Sequence, residues 1–134
     1  MTTVPLIQLL EEPGMRPYDF VVSGDPRTYA DLCAPSELAA MAAYASGIGP
    51  WKRLIVGENP DKSLKTPSSL TSDAHAAGLL VHPYTFRNEA RFLAPDYKND
   101  PEAEYMQFFA LGVDGLFSDF SDTAHAAREK FLKK

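Results

Sequence analysis

Cysteine is almost absent from the 134-residue chain. Cys33 stands alone, which excludes an intrachain disulfide and any zinc site built on cysteine pairs. No apolar run approaches the roughly 20 residues that a membrane-crossing helix needs. Positive charge is in deficit: 13 Lys and Arg face 18 Asp and Glu, a formal net charge of −5. Without a basic surplus to meet phosphates, nucleic acid and anionic membrane surfaces are poor partners. The one basic cluster, REKFLKK, suits the negative end of a helix dipole. The opening stretch MTTVPLIQLLEEPG has neither the basic start nor the small-residue cleavage site of a signal peptide. Histidine occurs three times, at His75, His82 and His125.

What remains is a globular composition. Hydrophobic residues make up 45% and charged residues 23%, enough apolar surface for one ordinary core. The 11 prolines fall mostly between the periodic segments and imply long, shaped connections. VPLIQLL (4–10) reads as a buried strand closed by EEPG. Residues 16–35 are irregular, with room for a short helical turn. SELAAMAAYAS is a helix whose Leu38, Met41, Ala42 and Ala45 share a face, with Gly47 placed to stop it. Gly47 to Gly49 make a very short strand. SLTSDAHAAG is a second helix with Ser68 or Ser69 as its cap and Gly78 as its stop. LLVHPYT is the next strand. PEAEYMQFFALG is a third helix, capped by Asp100 with Pro101 in its first position and Tyr105, Phe108 and Phe109 on its apolar side. VDGLFSDF is a fourth strand, and SDTAHAAREKFLKK a last helix with Ser121 as its cap.

Strand followed by helix, four times over, predicts right-handed βαβ units and a parallel sheet. The helix-to-strand links are short. The strand-to-helix links are longer and richer in polar and aromatic residues. In parallel α/β folds the C-terminal strand ends carry the ligand sites, so the longer links are where function is to be sought.

Three segments go beyond pattern. AAYASGIGPWKRLIV, AAGLLVHPYTFRNE and LGVDGLFSDFSDTA follow one another in an order and spacing that resemble the C-terminal half of a glycerophosphodiester phosphodiesterase. VPLIQLL is similar to the strand that precedes them in that family. The likeness covers nearly the whole chain and is nearest to the long-loop, periplasmic-type bacterial branch. It implies an α/β fold, the C-terminal half of a (β/α)8 TIM barrel with about four parallel strands, and residues 1–134 as a single partial domain. A complete barrel takes about 250 residues, so a fragment is expected. The implied activity is hydrolysis of glycerophosphodiesters to glycerol 3-phosphate and an alcohol by a divalent metal, Ca²⁺ or Mg²⁺, in the intact enzyme. The family's His-Arg-Gly, Glu-x-Asp, His-Asp and Glu-x-Lys motifs do not occur here. No catalytic residue and no metal ligand is therefore assigned, and this chain alone is expected to be inactive and to bind no metal. For the intact enzyme the resemblance favours a periplasmic or secreted location. Two other readings stay open: a non-catalytic half-barrel that covers its open sheet edges by self-association or by pairing with a missing N-terminal half, and a glycerol-phosphate binding module.

The candidate substrate-binding residues are Tyr84, Arg87, Trp51 and Phe120. Tyr84 stands at a strand end where related enzymes place a pocket-lining aromatic, able to pack on glycerol carbons. Arg87 either pairs with a phosphate oxygen or forms a salt bridge to Glu89 or Asp96. Trp51, followed by Lys52 and Arg53, either caps the barrel mouth or covers apolar surface under a loop. His82 reads as scaffold before it reads as an acid, and His75 and His125 as solvent-facing. Asp114, Asp119 and Asp122 have no metal-loop spacing and read as structural. Glu11 and Glu12 end the first strand near the mouth.

Overall fold

The computed structural model describes residues 2–134. Three parallel strands, β1 (Ile7–Leu10), β2 (Gly47–Pro50) and β3 (Leu80–Val81), pair in the order β1-β2-β3. Ile7 aligns with Gly47 and Gly47 with Leu80, so the strands run in register from their first residues. Seven helices connect and flank them: α1 (Tyr18–Ser23), α2 (Tyr29–Leu32), α3 (Pro35–Met41), α4 (Lys52–Ile55), α5 (Leu70–Ala76), α6 (Pro101–Ala110) and α7 (Ser121–Leu132). The parallel α/β arrangement is that of a partial barrel.

The segment expected as a fourth strand lies beside β3 but pairs with it differently. Its backbone meets the sheet through the Phe86–Ser118 bridge and through Asp114 N–H to the Val81 carbonyl at 3.0 Å and Phe117 N–H to the Pro83 carbonyl at 2.9 Å. Two donors that a regular ladder would use are not available. The Val81 N–H is donated to the Asp114 carboxylate at 2.9 Å, and Pro83 has no N–H to give.

Side chains alternate across the sheet, as the pleat requires. Leu10, Ile48 and Val81 are fully buried on the helix-covered face, with Leu38 and Met41 of α3 and Leu70 and Ala74 of α5 in the same core. The other face carries Leu9, 51% exposed, and Leu80, 45% exposed. Between them Gly47 and Gly49 form its floor. A Cβ on Gly47 would stand 2.7 Å from the Leu80 carbonyl oxygen, so this glycine serves close packing rather than a helix stop. Helix α3 ends earlier than its apolar pattern predicts. Met41 is its last residue, and Ala42, at the C-cap, faces solvent while Leu38, Met41 and Ala45 stay buried.

Two of the seven helices carry a side-chain cap; α1, α3, α4, α7 and α5, whose N-cap Ser69 makes no capping hydrogen bond, do not. Asp100 accepts the Glu102 N–H at 2.9 Å, with Pro101 in the first position of α6. Thr28 and Asp31 form a reciprocal capping box on α2. In α7 the N-cap is Phe120, not Ser121, which is already helical. The Phe120 N–H is taken instead by the Ser118 hydroxyl at 2.9 Å. Cys33 is half-buried, donates to the Tyr29 carbonyl, and has its thiol pushed up to about 11 by burial.

Candidate substrate pocket at the strand ends

The C-terminal ends of the strands are stitched at one atom. The Leu10 carbonyl accepts both the Trp51 N–H at 2.7 Å and the Tyr84 hydroxyl at 3.1 Å. Trp51 and Tyr84 then bridge as a parallel pair, and Lys52 N–H reaches the Tyr84 carbonyl at 2.8 Å. Glu11, Trp51 and Tyr84 continue the alternation of Leu9, Gly49 and His82, so all three belong to the face turned away from the helices.

These residues line a cavity of about 380 Å³ at the strand ends, within the size range of small-molecule sites. Its far wall comes from the connections after β2 and β3: Arg53, Glu58 and Lys62 on one side, Arg87, Arg91 and Phe92 on the other. The Leu64 N–H donates to Asp96 at 2.9 Å and ties the two connections together. Burial pushes the Tyr84 hydroxyl well above its ordinary value, and the negative charge of Glu11 adds to the effect. Tyr84 is therefore a neutral donor held by the scaffold, offering its ring to the cavity.

Beneath the cavity lies a buried ion pair. Lys52 Nζ donates to Glu104 Oε2 at 2.9 Å, with only 7% and 1% of the two side chains exposed. Arg53, also 7% exposed, reaches Glu58 at 2.7 Å and Glu104 at 3.4 Å. Burial pulls the Lys52 ammonium below its ordinary value, while the charge of Glu104 works the other way. Lys52 also stands 5.1 Å over the Phe86 ring, which stacks on Tyr105 and meets Phe108 edge-on. Helix α6 thus supports the pocket with one carboxylate and two aromatic rings. Glu104 precedes Tyr105 and lies four residues before Phe108, a position on the apolar side of α6 that its polarity hides.

Of the four sequence-predicted residues, Trp51, Tyr84 and Arg87 line the one cavity and Phe120 does not. Arg87 pairs with Glu89 at 2.7 Å and Asp119 at 3.4 Å, while Asp96 is engaged elsewhere. Its guanidinium lies 4.2 Å from the centre of the Phe92 ring. None of the three histidines lines this cavity. The His82 ring packs on Gly115, where an added Cβ would stand 3.1 Å from it. His75 is not simply solvent-facing: its Nε2 meets Asp114 Oδ2 at 2.8 Å at the opposite end of β3. Among the described residues no group of three His, Cys, Asp or Glu could hold a metal ion. Glu11 is the cavity-lining carboxylate that enters no ion pair among the described residues.

The sequence profile of the Glycerophosphoryl diester phosphodiesterase family matches residues 2–123. The chain belongs to this family. The glycerophosphodiester phosphodiesterase GDPD6 of Arabidopsis thaliana is 43% identical over 104 residues, which is 77% of this chain and 28% of the relative. GDPDL1 of the same plant is 39% identical over 108 residues, 78% of this chain and 14% of the relative. The glycerophosphodiester phosphodiesterase of Haemophilus influenzae is 34% identical over 99 residues, 71% of this chain and 26% of the relative. The chain spans less than a third of each of these relatives.

Proposed function

We propose that this family segment forms the substrate-side wall of a phosphoric diester hydrolase that cleaves glycerophosphodiesters to glycerol 3-phosphate and an alcohol. The observation that carries the reading is the convergence of Trp51, Tyr84 and Arg87 on one cavity at the strand ends. The two aromatic rings pack against the glycerol carbons. Arg87 exchanges part of its hold on Glu89 for a phosphate oxygen. We propose a place in the long-loop, periplasmic-type bacterial branch, supported by the long connections after β2 and β3; relatives from a plant and from a bacterium share the segment.

Proton transfer to the leaving alcohol needs an acid within hydrogen-bond reach. Of the cavity's carboxylates Glu58 is held by Arg53 and Glu11 is unpaired, but the His-Arg-Gly, Glu-x-Asp and His-Asp motifs, to which the resemblance assigns acid–base and metal-binding roles, do not occur in this chain. The 134-residue chain alone is therefore proposed to bind without turning over, metal dependence belonging to the intact enzyme. Calorimetric titration with sn-glycerol 3-phosphate should give saturable binding, and glycerol 3-phosphate release from a glycerophosphodiester with Mg²⁺ or Ca²⁺ should stay at background. Chelator-sensitive turnover by the chain itself would contradict the inactivity, and absence of binding would contradict the site.

A second reading has its own observation. Leu9, Leu80 and Phe117 are each about half exposed on the face away from the helices or beside it, and apolar surface of this kind favours a cover. Self-association through this face predicts a dimer in light scattering; a monomer across the concentration range argues against it.

A further inference from the structure

The free charges of the cavity are divided between its walls. Glu11, at the end of β1, lines it and enters no ion pair among the described residues. Its neighbour, the Tyr84 hydroxyl, gives its one proton to the Leu10 carbonyl at 3.1 Å, so the Glu11 oxygens keep their acceptor capacity. Glu58, the other carboxylate of the lining, is held by Arg53 at 2.7 Å. The free positive charges stand on the connections after β2 and β3, at Lys62 and Arg91, both exposed and neither in an ion pair among the described residues. Arg87 lines the cavity beside them.

This division orients a ligand. A phosphate is repelled by Glu11 and drawn to the cations of the connections. The part left at Glu11 must supply hydrogen-bond donors, because an ionised carboxylate only accepts. A glycerol end supplies two neighbouring hydroxyls, and acidic side chains hold ribose hydroxyls in the same way. Trp51 and Tyr84 share a sheet face with Glu11 and cover the carbons between. A fixed cation fits less well: Lys52, Arg53, Lys62, Arg87 and Arg91 outweigh the two lining carboxylates, so the cavity as a whole repels it. Resting on the proposed phosphodiester reading, we infer that Glu11 is a specificity residue: the two free hydroxyls of the glycerol moiety donate to its carboxylate while the phosphate lies against the cations of the connections.

The test is calorimetric titration of the 134-residue chain and of Glu11→Ala with sn-glycerol 3-phosphate, propyl phosphate and phosphocholine. Propyl phosphate keeps the phosphate and three carbons and lacks the hydroxyls. The wild type should prefer glycerol 3-phosphate over it by about tenfold, the size of a hydrogen bond to a charged group. In Glu11→Ala, glycerol 3-phosphate should weaken by about tenfold, and propyl phosphate should bind as well or better because a repelling charge has gone. A damaged pocket would weaken both, and that result makes Glu11 structural and overturns the inference. Equal binding of the two by the wild type, or a preference that survives in Glu11→Ala, also overturns it. Phosphocholine bound more tightly than glycerol 3-phosphate, with the advantage lost in Glu11→Ala, gives the carboxylate to a cationic alcohol and overturns it as well. In each of these cases binding of glycerol 3-phosphate leaves the phosphodiester reading standing; no binding of any of the three overturns that reading too.

Discussion

At the C-terminal ends of the strands Lys52 meets Glu104 with 7% and 1% of their side chains exposed; at the opposite end His75 meets Asp114 with 39% and 32% exposed. Both pairs join elements far apart in the chain, and their distances are similar, at 2.9 and 2.8 Å. Their energetic meaning differs because water differs. In the buried pair each ion has surrendered hydration, so losing one partner strands the other. In the half-exposed pair solvent stands ready to replace a lost partner, and little is at stake. The costly pair underlies the end where the cavity lies. The cheap pair closes the end where parallel α/β folds are built for stability.

The sharpest way to break this contrast is Glu104→Ala. It leaves Lys52 and Arg53 buried without their shared carboxylate and should cost about 3–5 kcal/mol in denaturant unfolding. Replacing Lys52 and Glu104 together by Met and Leu should restore much of that loss, since two apolar groups need no partner. Restoration with loss of glycerol 3-phosphate binding would assign the pair to the pocket; restoration with binding intact would make it scaffold only.

Next in size is a test of the sheet between the two ends. Gly47→Ala pushes a methyl group against the Leu80 backbone carbonyl, which cannot move away, and should cost about 1–3 kcal/mol. Gly49→Ala meets the Leu9 side chain at 2.7 Å. That side chain is half exposed and can swing aside, so thermal unfolding should show the smaller loss at Gly49.

The smallest effect belongs to Asp114→Asn. Burial raises its carboxyl, but the hydrogen bonds from His75 and Val81 and the charges of His75 and His82 bring it below its ordinary value near 3.8. A carboxyl lowered by folding stabilises the protein above its unfolded value and loses that contribution as pH falls through the folded one. The wild-type protein should therefore lose stability below about pH 4, and the variant should lack that part of the acid slope. At this exposure, solvent screening limits the difference to about 0.5–1 kcal/mol.

How much of this was legible depended on whether the information was local. The cap at Asp100 and Pro101, the apolar face of Tyr105 and Phe108, and the strand-helix alternation are neighbour relations that periodicity reports directly. So is the placing of Trp51 and Tyr84 at strand ends, whereas the register that carries both to the same face is supplied only by the fold. The two ion pairs are different. Glu104 lies 52 residues from Lys52 in the chain, and in one sequence a glutamate on a helix looks like a solvated one. His75 read as solvent-facing for the same reason: its partner, Asp114, is 39 residues away. The fourth strand was legible as an extended segment. That it would meet the sheet by a bridge followed from two local facts together, the Pro83 nitrogen and the Asp114 carboxylate, whose partner only the fold supplies. Phe120 read as a pocket residue as the last residue of the expected fourth strand; its place at the N-cap of α7 takes it away from the cavity.

The central claim is that Trp51, Tyr84 and Arg87 share one ligand site. Trp51 is the only tryptophan of the chain, so its fluorescence reports that site without labelling. Titration with sn-glycerol 3-phosphate should give a saturable change in Trp51 emission, weakened about tenfold in Arg87→Ala through loss of a charged hydrogen bond. An emission that does not respond, or a response that is identical in the wild type and in Arg87→Ala, contradicts the account.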